Sequence, residues 1–183
     1  MLTKKHCYVI TGGPGVGKTT LLNELAKRDY HIVPEHARAI IKQEIDNGRD
    51  GLPWGNKERY THLMLEAAVL SYHAVQTNKE FHFFDRGILD AICYADMVDI
   101  EISAKMDQLA KGLRYNNKVF ILPPWQEIYH TDEERKQTWQ EALSTFSQMK
   151  STYINYGYEV VEVPIGKIED RADFVLREIS TML

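Results

Sequence analysis

One short stretch constrains this 183-residue chain more than any other feature. It has the spacing G-x-x-x-x-G-K-[ST], and it reads Gly12, Gly13, Pro14, Gly15, Val16, Gly17, Lys18 and Thr19. Glycines let the backbone take positive φ angles and approach a ligand closely. Backbone N–H groups arranged in this way form a concave site for phosphate. In such loops the lysine contacts the β- and γ-phosphates, and the hydroxyl of Thr19 is a ligand for Mg²⁺.

The flanks of this loop predict a strand before it and a helix after it. His6 to Thr11 is a mostly apolar run typical of a buried strand, and Thr20 to Lys27 is typical of a helix. This order points a helix N-terminus at phosphate. We therefore predict that Gly12 to Thr20 binds ATP, that Lys18 also takes part in catalysis, and that Mg²⁺ is required.

The composition limits the classes of function. The chain is 44% hydrophobic and 26% charged, with a net charge of −4, which suits one globular domain over residues 1–183. This balance favours neither nucleic acid nor an anionic membrane as a partner. Two cysteines do not make a disulfide framework, and the sequence contains no long apolar run. We expect a cytoplasmic protein, and the sequence leaves its oligomeric state open.

Strand-like and helix-like segments alternate along the chain. The predicted strands lie at 6–11, 30–34, 80–85, 118–122 and 158–163. This alternation predicts an α/β fold of three layers, with a five-stranded parallel sheet and helices on both faces. Ligands of such folds bind outside the carboxyl ends of the strands.

Two predicted strands are followed by charged residues. Asp85 and Arg86 end the strand at 80–85, where an acidic residue often helps to hold Mg²⁺. Arg86 either pairs with Asp85 in a structural ion pair or contacts the substrate. Glu35 follows the strand at 30–34. It either interacts favourably with a helix N-terminus or accepts the proton of a substrate hydroxyl, and Asp85 is the other candidate for that proton.

Three further sites have two interpretations each. Arg38 either binds substrate or is a solvated helix charge. Arg135 either closes over the γ-phosphate as part of a lid or pairs along an exposed helix, which Thr131 is predicted to start with a capping box. An apolar face is predicted on that helix, formed by Trp139, Leu143, Phe146 and Tyr153. The aromatic side chains near the loops either stack on a ring or pack on the core, and they are Trp54, Tyr60 and Trp125.

Most of the chain resembles the small AAA-domain, kinase-like ATP-binding proteins of the P-loop NTPase superfamily. Its layout is similar to that of nucleoside, nucleotide and nicotinamide-riboside kinases. The matching segments are Gly12 to Thr20, Pro34 to Arg38, Phe84 to Gly87 with Asp90, Asp132 to Arg135, and Tyr156 to Pro164 with Arg171. The resemblance implies ATP and Mg²⁺ at the loop, Glu35 on the acceptor side, Asp85 and Arg86 as the metal and substrate pair, and Arg135 in a lid.

Other classes of P-loop protein fit the sequence less well. A GTPase that reads guanine carries Asn-Lys-x-Asp after a strand, and neither Asn78-Lys79 nor Asn117-Lys118 is followed by that aspartate. Asp85 is followed by Arg86 rather than by the glutamate that serves as the hydrolytic base of ATP-driven motors. These features favour an enzyme that transfers phosphate to a small-molecule acceptor. The alternative is a nucleotide-dependent switch or ATPase module that binds a protein partner.

Overall fold

The computed structural model describes residues 2–76, 80–128 and 138–180. Its strands are β1 (Leu2–Thr3), β2 (Cys7–Thr11), β3 (His31–Val33), β4 (His82–Asp85), β5 (Leu113–Arg114), β6 (Lys118–Ile121) and β7 (Glu159–Glu162). Its α-helices are α1 (Lys18–Lys27), α2 (Ala37–Asp46), α3 (Lys57–Ala74), α4 (Ile88–Met97), α5 (Ala104–Gly112), α6 (Trp139–Asn155) and α7 (Ile168–Ser180). None of the helices in these ranges is both long enough and apolar enough to span a bilayer.

The main sheet contains five parallel strands in the order β3, β4, β2, β6, β7. Strand β2 lies at its centre, and all five of its residues are buried. Strands β1 and β5 form a separate parallel pair. Parallel neighbours need crossover connections, and helices supply them here. The predicted α/β class and five-stranded parallel sheet are confirmed.

Side chains of β2 alternate between the two faces of the sheet, as the period of a strand requires. Val9 packs on one face in a cluster with residues of α3, α4 and α6, including Tyr72, Ile92 and Tyr153. Tyr8 and Ile10 pack on the other face with α1 and α7. Helices therefore cover both faces, which gives the predicted three layers.

Helix α6 begins at Trp139 in the described part of the chain. Its N-cap is Thr138, whose side chain and that of Glu141 form a reciprocal capping box, and Thr131 lies outside the described residues. The predicted apolar face is correct only in part, because Tyr153 is buried but Leu143 is 36% exposed. The sequence pattern missed the small buried residues that let α6 pack closely, such as Ala142.

The carboxyl ends of three neighbouring strands bring the predicted site residues to one edge of the sheet. Strand β2 ends at Thr11 and continues into the glycine loop. Strand β4 ends at Asp85, and β3 is followed by Pro34 and Glu35. Because β4 lies between β3 and β2, its carboxyl end lies between the strand end that leads to Glu35 and the strand end that leads to the loop.

Candidate functional site

The glycine loop has a backbone that side chains would disturb. Gly12, Gly15 and Gly17 have φ angles of +146°, +77° and +82°. A Cβ atom on Gly12 would lie 2.9 Å from the carbonyl oxygen of Leu122. Glycine is therefore needed at position 12 for both its φ angle and its lack of a side chain.

The N-terminus of α1 faces the loop without a side chain to cap it. Its N-cap is Gly17, and the first turn contains no acidic residue. The N–H groups of a first turn have no partner within the helix, and the helix dipole places positive potential there. This end of α1 suits an anion, and Thr19 and Thr20 are exposed beside it.

Lys18 and Asp85 form an ion pair. The Lys18 Nζ lies 2.9 Å from Asp85 Oδ1, and the two side chains are 9% and 13% exposed. Lys18 opens α1 and Asp85 ends β4, so the pair joins the loop to the neighbouring strand. A bound phosphate would compete with Asp85 for the same ammonium group.

Arg86 connects the residues on the far side of Asp85. Its Nε donates to Glu35 Oε1 at 3.1 Å, and its Nη1 lies 3.4 Å from Asp90 Oδ1. Burial lowers the pKa of the Arg86 guanidinium, but the charges of Asp90, Glu35 and Asp85 outweigh it and raise that pKa above its usual value. The backbone of Arg86 has a φ of +69°, which is rare for a residue other than glycine. Such backbone strain is commonly found at functional sites.

Asp90 holds this network in place from the first turn of α4. Its Oδ2 accepts hydrogen bonds from the Tyr153 hydroxyl at 2.6 Å and from the Gly87 N–H at 2.7 Å. Its Oδ1 accepts one from the Thr11 hydroxyl. The residue is 5% exposed. Asp90 therefore links β2, α4 and α6, and it fixes the position of Arg86.

Two neighbouring cavities open at this edge of the sheet. The first, the loop cleft, has a volume of about 980 Å³ and is lined by Gly13, Pro14, Gly15, Gly17, Lys18, Thr19, Thr20, Pro34, Glu35, Arg38, Asp85, Arg86, Trp125, Gly166, Ile168 and Arg171. Arg171 is 4% exposed, and its Nη2 donates to the carbonyl of Val16 at 3.3 Å. Helix α7 therefore stabilises the glycine loop through a hydrogen bond to its backbone.

The second cavity, the side pocket, has a volume of about 240 Å³ and is lined by Gly13, Pro14, Glu35, Ala37, Pro53, Tyr60, Met64, Arg86, Asp90, Cys93, Tyr94, Met97, Thr145 and Met149. Gly13, Pro14, Glu35 and Arg86 line both cavities. A group bound in the side pocket would therefore meet a group bound in the loop cleft beside Glu35 and Arg86.

The chemistry of the loop cleft fits a triphosphate with Mg²⁺. The glycine backbone leaves room for phosphate oxygens, and Lys18, Arg38, Arg86 and Arg171 place four cations around the cleft. In the described part of the chain, no cluster of three or more His, Cys, Asp or Glu residues is arranged to hold a metal. Mg²⁺ commonly binds through one or two protein ligands plus phosphates and water. Thr19 and Asp85 both line the cleft, and they would supply these two protein ligands.

The structure brings most of the predicted site residues together. Besides the loop residues, Glu35, Arg38, Asp85 and Arg86 line the loop cleft. Arg135 lies outside the described residues.

The three aromatic residues considered from the sequence lie in different places. Trp125 lines the loop cleft, and Tyr60 is 5% exposed and lines the side pocket. Trp54 is 68% exposed, so it does not pack on the core, and it is not among the described residues that line either cavity.

Sequence reasoning did not assign roles to several residues of the site. In the sequence, Asp90 stands out only as part of the family resemblance. Its spacing of four residues from Arg86, at the start of a helix, also favours a contact between the two side chains. Tyr153 is 63 residues from Asp90 in sequence, and no local pattern connects them. Tyr94 and the methionines of the side pocket resemble ordinary core residues in sequence.

A comparison with family models places most of the chain in one family. The model AAA_28, described as AAA domain, matches residues 7–171. That range includes every described residue that lines the two cavities.

Solved structures with a similar fold include NadR and proteins named as kinases. NadR protein in complex with NR superposes with a TM-score of 0.72 at 15% identity, over 97% of this chain and 52% of that chain. Deoxyadenosine kinase from M. mycoides gives a TM-score of 0.64 at 14% identity, over 96% and 99% of the two chains. Thymidylate kinase from Ehrlichia chaffeensis gives 0.61 at 14% identity, over 96% and 98%. At these identities the likeness shows a shared fold.

The similarity to curated proteins is local. The tRNA modification GTPase MnmE of Wolbachia pipientis subsp. Culex pipiens (strain wPip) is 58% identical over 43 residues, which is 22% of this chain and 10% of that protein. The enzyme of the same name from Rhodopseudomonas palustris (strain BisB18) is 51% identical over 47 residues. This chain thus matches only about 10% of the length of these relatives.

Proposed function

The chain belongs to the AAA domain family AAA_28, and we propose that it is a kinase that transfers the γ-phosphoryl group of Mg-ATP to a small metabolite. One observation carries the proposal. The loop cleft and the side pocket meet at Glu35 and Arg86, beside the glycine loop. This arrangement suits a donor and an acceptor bound in neighbouring cavities.

In the proposed reaction the loop cleft binds the donor. The backbone of Gly12 to Gly17 surrounds the phosphates, and Lys18 moves from Asp85 to their oxygens. Thr19 and Asp85 are the residues that would hold Mg²⁺, which when bound neutralises charge on the phosphates. Electrostatic stabilisation of this kind is the main task of an enzyme in phosphoryl transfer.

The acceptor hydroxyl would approach from the side pocket. Its oxygen forms a bond to the γ-phosphorus while the bond to the leaving ADP oxygen breaks, and its proton passes to a carboxylate. We assign that role to Glu35 because it lines both cavities. Asp85 is the weaker candidate, since it is assigned to Mg²⁺ and is not among the described residues of the side pocket.

Arg86 and Arg135 have separate roles in this proposal. Arg86 is held by Glu35 and Asp90 at the junction of the cavities, where a fixed guanidinium orients the reacting groups. Arg135 remains the proposed lid residue from the sequence. The similar structures named for nucleoside and nucleotide kinases support an acceptor of that general kind.

The proposal is tested by incubating the purified protein with Mg-ATP and a metabolite panel, and by detecting new phosphorylated products with mass spectrometry. Thermal shift with Mg-ATP is measured in parallel, and Lys18→Ala is expected to abolish the shift. A product that depends on both ATP and Lys18 supports the kinase. A shift with slow ATP hydrolysis and without any product would favour the alternative of a nucleotide-dependent switch. The absence of a shift in the native protein would overturn both.

A further inference from the structure

The net charge of the described lining residues is positive in the loop cleft and negative in the side pocket. Among the described residues, the loop cleft is lined by four cations and two carboxylates, Glu35 and Asp85. The side pocket is lined by one cation, Arg86, and two carboxylates, Glu35 and Asp90. The basic residues thus lie on the donor side of the junction.

The one cation among the described residues that line the side pocket is already engaged. Arg86 contacts Glu35 at 3.1 Å and Asp90 at 3.4 Å, and Asp90 is itself fixed by three further hydrogen bonds. A phosphate dianion in the pocket would lie beside two carboxylates and would have to compete with both for Arg86. Like charges in a partly buried site repel strongly because the solvent screens them poorly.

Apart from Thr145, the remaining described residues of the side pocket are apolar or aromatic. Met64, Met97 and Met149 line it, together with Tyr60 and Tyr94. The two tyrosine rings meet edge to face, with centroids 5.4 Å apart and an interplanar angle of 79°. Burial raises the pKa of Tyr60 to about 12, so its hydroxyl stays neutral. Such walls accommodate a planar ring, and the negative faces of the tyrosines also attract a cationic one.

The size of the pocket sets a further limit. Its volume of about 240 Å³ is below the range of roughly 300–1,000 Å³ that is usual for drug-sized ligands. An acceptor that fits it is small, and its hydroxyl must reach Glu35 at the junction.

We propose that the side pocket binds a small, uncharged or cationic ring compound that carries a hydroxyl group, and that it discriminates against phosphomonoesters. This inference rests on the proposed kinase function and narrows its acceptor. The enzyme then phosphorylates an alcohol, and it does not extend an existing phosphate.

Matched pairs of compounds test the inference. Each pair contains a nucleoside and its 5′-monophosphate: adenosine, cytidine, uridine, thymidine and nicotinamide riboside supply the uncharged and cationic members. Transfer from Mg-ATP is followed by coupled ADP release and confirmed by mass spectrometry of the product. We expect kcat/KM for at least one nucleoside to exceed that for its monophosphate by about ten-fold or more.

A positive charge introduced at the exposed edge of the side pocket tests whether charge sets its specificity. Met97 is 39% exposed, so Met97→Lys adds a cation to the pocket without burying it. The inhibition constant of the monophosphate should fall about ten-fold in this variant. Leu143→Lys is the matched change on α6, where Leu143 is 36% exposed and is not among the described lining residues, and it should have no effect.

The possible outcomes separate the two proposals. Preferred transfer to monophosphates overturns the inference about the acceptor and leaves the kinase function standing. Transfer to no member of any pair, although the metabolite panel yields another phosphorylated product, overturns the inference and leaves the kinase function standing. The absence of any ATP-dependent product from the panel and the pairs, although Mg-ATP still binds, overturns the kinase function and the inference with it. Equal effects of Met97→Lys and Leu143→Lys would show that charge in the side pocket does not set the specificity.

Discussion

The glycine loop is made of nine consecutive residues, whereas the side pocket takes its walls from four helices and the loops between them. In the loop, function depends on backbone conformation, and few side chains are involved. In the side pocket, function depends on side chains that are distant in sequence, such as Glu35, Tyr94 and Met149. A local substitution can therefore disable the loop, while the pocket depends on the packing of the whole helical layer. The junction at Glu35 and Arg86 belongs to both.

The largest effect is expected for a substitution in the glycine loop, which tests donor binding separately from the acceptor side. Lys18→Ala removes the loop cation and leaves Asp85 without its partner. We expect phosphoryl transfer to fall by about 100- to 1,000-fold and the thermal shift with Mg-ATP to disappear. Lys105→Ala, at an exposed position on α5, serves as the control and should match the native protein. A normal Mg-ATP shift in Lys18→Ala would contradict the assignment of the loop.

Glu35→Gln tests the acceptor side alone. Loss of the proposed proton acceptor should lower kcat by about a hundred-fold, while the thermal shift with Mg-ATP is kept. Asp85→Asn should instead weaken the response to Mg²⁺, and the exposed Glu101→Gln is a neutral control. If Asp85→Asn loses kcat with an intact Mg-ATP shift and Glu35→Gln does not, the two roles are exchanged.

Asp90→Asn tests how far the acceptor side depends on packing. The amide cannot accept all the hydrogen bonds that the carboxylate accepts, and Arg86 loses one of its two partners. We expect a loss of about 2–3 kcal/mol in the free energy of unfolding, measured by urea denaturation. Asp46→Asn, at an exposed position on α2, is the control. Unchanged stability would mean that Asp90 does not hold the network together.

Substitutions at two glycines with positive φ angles distinguish the cost of backbone strain from the cost of a steric clash. Gly12→Ala should cost about 2 kcal/mol, because its Cβ would meet the Leu122 carbonyl at 2.9 Å in addition to the strained φ. Gly48→Ala has a φ of +62° but open space around the added Cβ, and it should cost only about 1 kcal/mol. Equal losses in the two variants would show that the contact at position 12 is relaxed at little cost.

The smallest effect is expected on the stability of the segment around Pro53, a residue that lines the side pocket. Glu44 is 2% exposed, and it pairs with Arg49 at 2.9 Å and with Arg59 at 2.8 Å. The hydrogen bond from Arg59 is the main cause that holds the pKa of Glu44 below its usual value of 4.5. A depressed carboxyl pKa contributes stability above the unfolded value, and that stability is lost as the pH falls through the folded value.

Glu44→Gln should therefore lower the melting temperature at pH 7, and the difference from the native protein should shrink below about pH 4.5. Differential scanning calorimetry over this pH range measures the effect, with the exposed Glu66→Gln as the control. A difference that does not vary with pH would assign the effect to packing rather than to charge.

Residues 12–19 predicted the position of the loop, and the alternation of strands and helices predicted the parallel sheet and its three layers. These predictions hold because the backbone conformation of a phosphate loop and the period of a buried strand are local properties, written in adjacent residues. The rule that ligands bind at the carboxyl ends of strands also predicts Glu35, Asp85 and Arg86 at one edge of the sheet.

The tertiary structure alone decided the pairing of Arg86 with both Glu35 and Asp90, the support of Asp90 by Tyr153, and the shape of the side pocket. These contacts join residues that lie on different helices and strands, and each depends on how α3, α4 and α6 pack against the sheet. The sequence predicts where phosphate would bind because the proposed site is built from one continuous segment. It did not determine the pocket beside it, because packing sets the distance between side chains from separate elements.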